Sequence, residues 1–210
     1  MIPKRLLLAA SALMGGLAAP DSAQASAALT EDIPSPAIEG RGAFITQIGE
    51  GGTATVEQNA PDAFSLVRQA GGGSRVEIVQ SGEGSAYASI AQTGDGHEAD
   101  VRQAGGGQNV LYMSQEGGLN RAAVGQNARR DANAAAVAQR GIGNEVTLIQ
   151  DGGDNRAVLS QDGDGNAMTA TQAGEGNRLE WVQQGSNLSD LGITQSGAQT
   201  IRIMQSGVGR

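Results

Sequence analysis

There is no cysteine anywhere in the 210 residues. That excludes a disulfide framework, a thiolate metal site, a catalytic thiol and a lipidated cysteine anchor. Aromatic residues are nearly as scarce, with Phe44, Phe64, Tyr87, Tyr112 and Trp181 making up the whole set, so any core must be thin. Positive charge is short as well. With 14 basic against 22 acidic residues the formal charge is -8, and there is no basic stripe of the kind a nucleic-acid binder uses to displace phosphate counterions. Prolines stand at 3, 20, 34, 36 and 61 and nowhere later, so none removes a ladder hydrogen bond from the rest of the chain. A single histidine, His97, leaves too few ligands for a metal or catalytic centre.

What the chain has in quantity is glycine, 33 residues of it, and an ordered beginning. Lys4 and Arg5, the apolar run 6–19 and the small residues Ala23, Ala25 and Ala27 read as a secretory signal over residues 1–27. Residues 28–40, with Pro34, Pro36 and three acids, read as a linker and a short disordered leader. The exported part, 28–210, carries 12 basic and 21 acidic residues, a charge of -9. Without disulfides it can pass a membrane channel extended.

From about residue 41 the chain repeats itself. Glutamines stand at Gln47, Gln58, Gln69, Gln80, Gln92, Gln103, Gln115, Gln126, Gln139, Gln150, Gln161, Gln172, Gln183, Gln195 and Gln205; nine of the fourteen intervals are 11 residues. In thirteen of the fifteen places a glycine follows two residues later, Ala60 and Ala128 being the exceptions. Between glutamines, alternate positions are small or aliphatic, as in Asn144, Val146, Leu148, Gln150. Period two predicts a strand with one buried face, and the glycine-bearing pieces predict tight corners. Two arms make a rung, and a rung cannot bury its own face. The expectation is therefore an all-β solenoid over 41–210, about seven stacked two-strand rungs spaced about 4.8 Å apart.

Inward amides suit so slim a core because each carries a donor and an acceptor, so stacked copies can satisfy one another. The glutamines predict two such columns. Asn109, Asn120, Asn133, Asn144, Asn155, Asn166 and Asn177 predict further ladder positions, with His97 a polar filler among them and Trp181 packed inward beside Leu179. The other four aromatics alternate outward as exposed rings. A slip of one residue would turn amides out and charges in. The first arm presents Ala43 and Ile45, the last Ile201 and Ile203, and these are the expected polymerisation edges, since an uncovered strand edge templates pairing with another chain.

Rival readings fare worse. Asp162 and Asp164 in DGDG could pass for a calcium loop, but the glycine-aspartate β-roll has a nine-residue period with one aspartate at a fixed place. Here the equivalent corners carry Glu50, Glu83, Asp95, Arg140 or Glu175, so no metal and no other cofactor is expected. Polysaccharide-cleaving β-helices gather carboxylates on a widened loop, whereas Glu77, Glu98, Asp100, Glu145 and Glu180 fall on outer strand faces without such a loop. Catalysis is not expected. Outward threonines such as Thr147, Thr169 and Thr171 are too scattered for an ice-binding rank. A monomeric secreted solenoid binding a carbohydrate or a protein along one face is the alternative that remains.

The arms fit QxGxxNxAxxxQ, and Gln115–Gln126 (QEGGLNRAAVGQ) and Gln150–Gln161 (QDGGDNRAVLSQ) match every fixed position. Arms from Gln139, Gln161 and Gln172 match except for Val146, Met168 and Leu179 in the alanine place. This resembles the curlin repeat of curli fibres. The resemblance implies a secreted amyloid subunit on the bacterial cell surface, joined end to end with itself and with a related curlin subunit, and serving adhesion and biofilm. It also implies a curli-type outer-membrane channel and periplasmic accessory proteins as partners. Early arms depart from the pattern, with Gly52, Ala63, Ser74, Ala86 or His97 in the asparagine place, which predicts a weaker column there. Arg121, Arg156, Arg178 and the closing QTIRIMQSGVGR look like the minor, nucleating type of subunit, while the acidic total argues the other way.

Overall fold

Each arm alternates apolar and polar residues, so it has one face to bury; it pairs its edges with the arms one rung away and buries that face against the opposite sheet. The computed structural model describes residues 33–207. Among them every regular element is a strand: β1 (Arg41–Ile48), β2 (Thr53–Gln58), β3 (Asp62–Ala70), β4 (Arg75–Gln80), β5 (Ser85–Asp95), β6 (Glu98–Gly105), β7 (Asn109–Gly118), β8 (Arg121–Ala128), β9 (Asn133–Ile142), β10 (Glu145–Gly153), β11 (Arg156–Asp162), β12 (Ala167–Glu175), β13 (Arg178–Gln184), β14 (Ile193–Ser196) and β15 (Thr200–Ser206). Odd strands form one eight-stranded sheet and even strands one seven-stranded sheet, each in chain order. Every pair is parallel and aligned glutamine on glutamine. The molecule is thus a β-solenoid of about 7 turns. The expected signal peptide, 1–27, lies outside the described residues.

The core is a strip between the two sheets. It includes Val67, Ile90, Leu111, Met113, Leu159 and Leu179 from the odd sheet and Val76, Ile78, Val101, Leu148 and Met168 from the even sheet. Trp181 is fully buried and shares this strip with the small Ala170, so bulk on one arm is offset by its absence on another.

Corners stack as closely as strands, and this is what the glycine two places after most of the glutamines serves, Gly174 and Gly197 being uncrowded. At Gly163 the backbone has φ 128, and a Cβ there would stand 2.0 Å from the carbonyl oxygen of Gly185 one rung on. Two residues further along, the left-handed position is roomier, and Leu119, Asp154 and Asn187 occupy it with side chains. The exceptional Ala60 and Ala128 are not at positive φ.

The outer faces differ. On the even sheet Arg75, Glu98, Arg121 and Glu145 stack in alternating sign, with Arg121 and Glu98 2.7 Å apart. Opposite charges across strands support this register. On the odd sheet Phe44, Phe64, Tyr87 and Tyr112 form a run of rings with centroids 5.6, 5.9 and 5.3 Å apart. This corrects the expectation of exposed rings: Phe44 is 60% exposed but Tyr87 only 6%. The cover is the linker itself. Ile33 and Ile38 pack with Tyr87, Val110, Ala134 and Val158, Ser35 Oγ donates to Gln108 Oε1 at 2.6 Å, and Gln108 Nε2 donates to the Pro36 carbonyl at 3.0 Å. Residues 33–40 are therefore not a disordered leader but a strap, drawn over the odd sheet because that face is apolar.

Candidate functional site

Each arm ends on an inward glutamine beside a corner, and the in-register stack sets these amides directly above one another. In the odd sheet Gln69, Gln92, Gln115, Gln139, Gln161, Gln183 and Gln205 form one column, beginning at Gln47. In the even sheet Gln58, Gln80, Gln103, Gln126, Gln150, Gln172 and Gln195 form the other. Beyond the first odd-sheet step, between Gln47 and Gln69, Nε2 donates to the next Oε1 at 2.7 to 3.0 Å.

The second amide hydrogen has a fixed use. From Gln58 to Gln195 each Nε2 also donates to a backbone carbonyl at the start of the preceding arm, in the opposite sheet: Gln58 to Gly42 at 3.0 Å, Gln103 to Tyr87 at 2.9 Å, Gln183 to Ala167 at 3.0 Å; Gln205 instead reaches the Ser189 carbonyl, ahead of β14, at 3.0 Å. A carbonyl can only accept, so the nitrogen must face it. That fixes the direction of every ladder step. Both columns therefore run with donors toward β14 and β15 and acceptors toward β1 and β2.

Asparagines make some of the amide-to-amide contacts expected of them, Nδ2 of Asn144, Asn155 and Asn177 donating to Oδ1 of Asn120, Asn133 and Asn155 at 3.1, 3.2 and 2.8 Å, and add contacts to backbone. Asn144 Oδ1 accepts from the backbone N–H of Asn166 at 3.0 Å, and its Nδ2 donates to the Gly163 carbonyl at 2.7 Å. Asn120, Asn133 and Asn155 repeat both contacts; Asn166 and Asn177 also receive a backbone N–H, from Leu188 and Gln199. They tie corner to corner through backbone as well as amide to amide. Asn109 breaks the run: its Oδ1 has no partner, because the longer interval before Gln139 hands the Asn133 N–H to the Gln108 carbonyl. His97 fills the same place with the same logic. Its Nδ1 accepts from the Asn120 N–H at 3.3 Å, so Nε2 carries the hydrogen and donates to the Thr93 carbonyl at 3.0 Å.

The acidic residues are engaged in corners and on the faces. Asp164 Oδ1 accepts from the Ile142 N–H at 2.8 Å and Asp95 Oδ1 from the Gly72 N–H at 2.6 Å, bracing one corner against the next. Glu77 pairs with Arg75 at 2.7 Å and Asp100 with Arg102 at 2.8 Å. Glu180 points outward, yet it is 2% exposed, with Arg202 Nε 2.7 Å away. Among the described residues no group of three or more His, Cys, Asp or Glu is arranged to hold a metal.

Among the described residues both extremities of the stack are open. No described strand lies beyond β1 and β2 or beyond β14 and β15, and no donor among the described residues reaches Oε1 of Gln47 or Gln58. Ile45 of β1 is exposed, and Ala54, Val56, Ile193, Ile201 and Ile203 only half cover the two core ends. One device interrupts the even edge. Residues 185–192 leave the strand, and Asp190 Oδ1 accepts from Thr169 and Gly192 N–H at 3.0 and 2.9 Å, so β14 is four residues long. Burial pushes the Asp190 carboxyl up, but the hydrogen bonds from Thr169 and Gly192 outweigh it and hold the group below the usual carboxylate range. The described stack therefore ends on the Oε1 atoms of Gln47 and Gln58 on one side and on the Nε2 atoms of Gln195 and Gln205 on the other.

No curated protein and no solved structure matches this chain. Residues 141–174, which run from the end of β9 through β10 and β11 into β12, match the family model of the curlin associated repeat.

Proposed function

We propose that this protein is a structural subunit of an extracellular curli-type amyloid fibre, exported to the bacterial surface and used in adhesion and biofilm matrix. The curlin associated repeat and the β-solenoid are compatible with such a subunit. One observation carries the reading: among the described residues two directional amide columns stop with acceptors unmet at Gln47 and Gln58, while the other end stops on the amide nitrogens of Gln195 and Gln205, which rest on backbone carbonyls of their own molecule. A second copy satisfies both at once and adds strands to both sheets, giving a cross-β fibre with strands across its axis. In this reading the chemistry is assembly, with no substrate to turn over, and export runs through a curli-type outer-membrane channel.

The test is to purify residues 28–210, which hold every described strand, and to follow thioflavin fluorescence and sedimentation. Sigmoidal fluorescence with pelletable, unbranched fibres is expected. A chain that stays monomeric for days at tens of micromolar would sink the reading.

A further inference from the structure

We infer that successive copies in the fibre are turned by half a revolution about its axis, beyond the stack's own twist, so that β1 of one copy follows β14 of the last and β2 follows β15. This rests on the end-to-end reading above and specifies its joint. The argument is one of parity. Arms climb alternately through the two sheets, and the described strands number fifteen, eight in one sheet and seven in the other.

If the next copy is set down with its sheets aligned, β1 falls on β15. One place in the other sheet is then left empty, and β14 and the incoming β2 stand about 9.6 Å apart, twice the strand spacing of about 4.8 Å. The strand edges there would have no partner, and Gln195 Nε2 would keep only its contacts with the Arg178 and Gln199 carbonyls of its own molecule, without a ladder step. A half-turn closes the gap. The order then runs β14, β15, β1, β2 without a break in the alternation.

The amide rules cross the joint intact. Gln195 donates to Gln47 of the next copy through the hydrogen that rests on the Gln199 carbonyl in the single molecule, and Gln205 donates to Gln58 of the next copy; these are the two acceptors that no described donor reaches. The second hydrogen of that Gln47 meets the Thr200 carbonyl, the strand-start position that Gly42 offers Gln58. On the outer face Thr200 lands on Thr53 and Arg202 comes beside Glu57; with aligned sheets Arg202 would sit on the ring of Phe44. Along the fibre, each side therefore alternates between a strap-covered aromatic face and a charged face.

A chain without cysteine allows a clean test. Met204, exposed on β15, occupies the same register position as Glu57 on β2 and Thr46 on β1, one residue before the glutamine. Stacked neighbours at about 4.8 Å lie within the Cα separation a disulfide spans, about 4.4 to 6.8 Å. Within one molecule these positions are at opposite ends of the stack, so only copy-to-copy bonds can form. Fibres of Met204→Cys with Glu57→Cys, oxidised after assembly, should convert most chains to covalent multimers. Fibres of Met204→Cys with Thr46→Cys should stay monomeric on a non-reducing gel.

The reverse pattern overturns the half-turn but leaves the fibre standing, and fibres in which neither pair closes overturn it too. Should the substitutions stop assembly, helical reconstruction of wild-type fibres decides. The expected rise is about 36 Å per copy with a half-turn, seven and a half levels of strand spacing; about 38 Å with sheets aligned overturns it. Absence of any fibre removes the end-to-end reading itself, a distinct outcome.

Discussion

At the scale of single residues, the fold depends on side chains whose two functions lie in different directions. A ladder glutamine ties its own sheet through one hydrogen and the opposite sheet through the other, so an apolar replacement leaves unmet groups on two strands. Glycine is needed where the next rung's carbonyl crowds it. Gly163→Ala should lower stability by at least about 2 kcal/mol, since it combines a strained φ with that contact. Gly143, at φ 68 with nothing within 4 Å of a Cβ, should lose only about 1 kcal/mol on Gly143→Ala, the cost of backbone strain alone. Denaturant unfolding of the two variants compares them. His97 gives a second contrast: His97→Asn keeps an acceptor for the Asn120 N–H and should leave the midpoint within about 0.5 kcal/mol of the parent, whereas His97→Leu orphans buried groups and should cost about 1–3 kcal/mol.

At the scale of elements, the strap is what composition concealed. Alternation in β3, β5 and β7 assigns Phe64, Tyr87 and Tyr112 outward, which is where they are, but outward did not mean exposed, because residues far away in the chain return to cover them. Burial, with the neighbouring Tyr87 adding to it, pushes the Tyr112 phenol up to about 12 from its ordinary 10.0. The raised value means that the fold favours the protonated phenol. Its contribution is complete below the ordinary value and is lost as pH climbs from there through about 12. Phenolate absorbance should therefore show Tyr112 ionising late, and alkaline stability should fall in that window. In Tyr112→Phe that part of the decline should vanish; an unchanged profile would assign it elsewhere.

At the scale of the whole molecule, a stack in which each rung touches only its neighbours has stability that sums along one dimension, and its ends behave unlike its middle. The two ends here are unequal: β1 is a full, exposed strand of 8 residues, while β14 is cut to 4 by the Asp190 bulge. Removing 195–210 deletes β15 and all but the first residues of β14, and with them the ladder donors of Gln195 and Gln205. Growth in a thioflavin assay should slow, and seeds of the intact chain should not restore full rate. Unchanged kinetics would mean that this edge takes no part in elongation.

Period, strand face, corner position and the two glutamine columns were all legible in the residues, because a two-residue alternation and an 11-residue recurrence leave one way to bury amides and aliphatics together. The paired use of each amide hydrogen, the backbone contacts of the asparagines, the burial of Glu180 and the strap were not. Each depends on what another rung or a distant segment places within a few ångströms, and contacts of that kind exist only once the stack has closed.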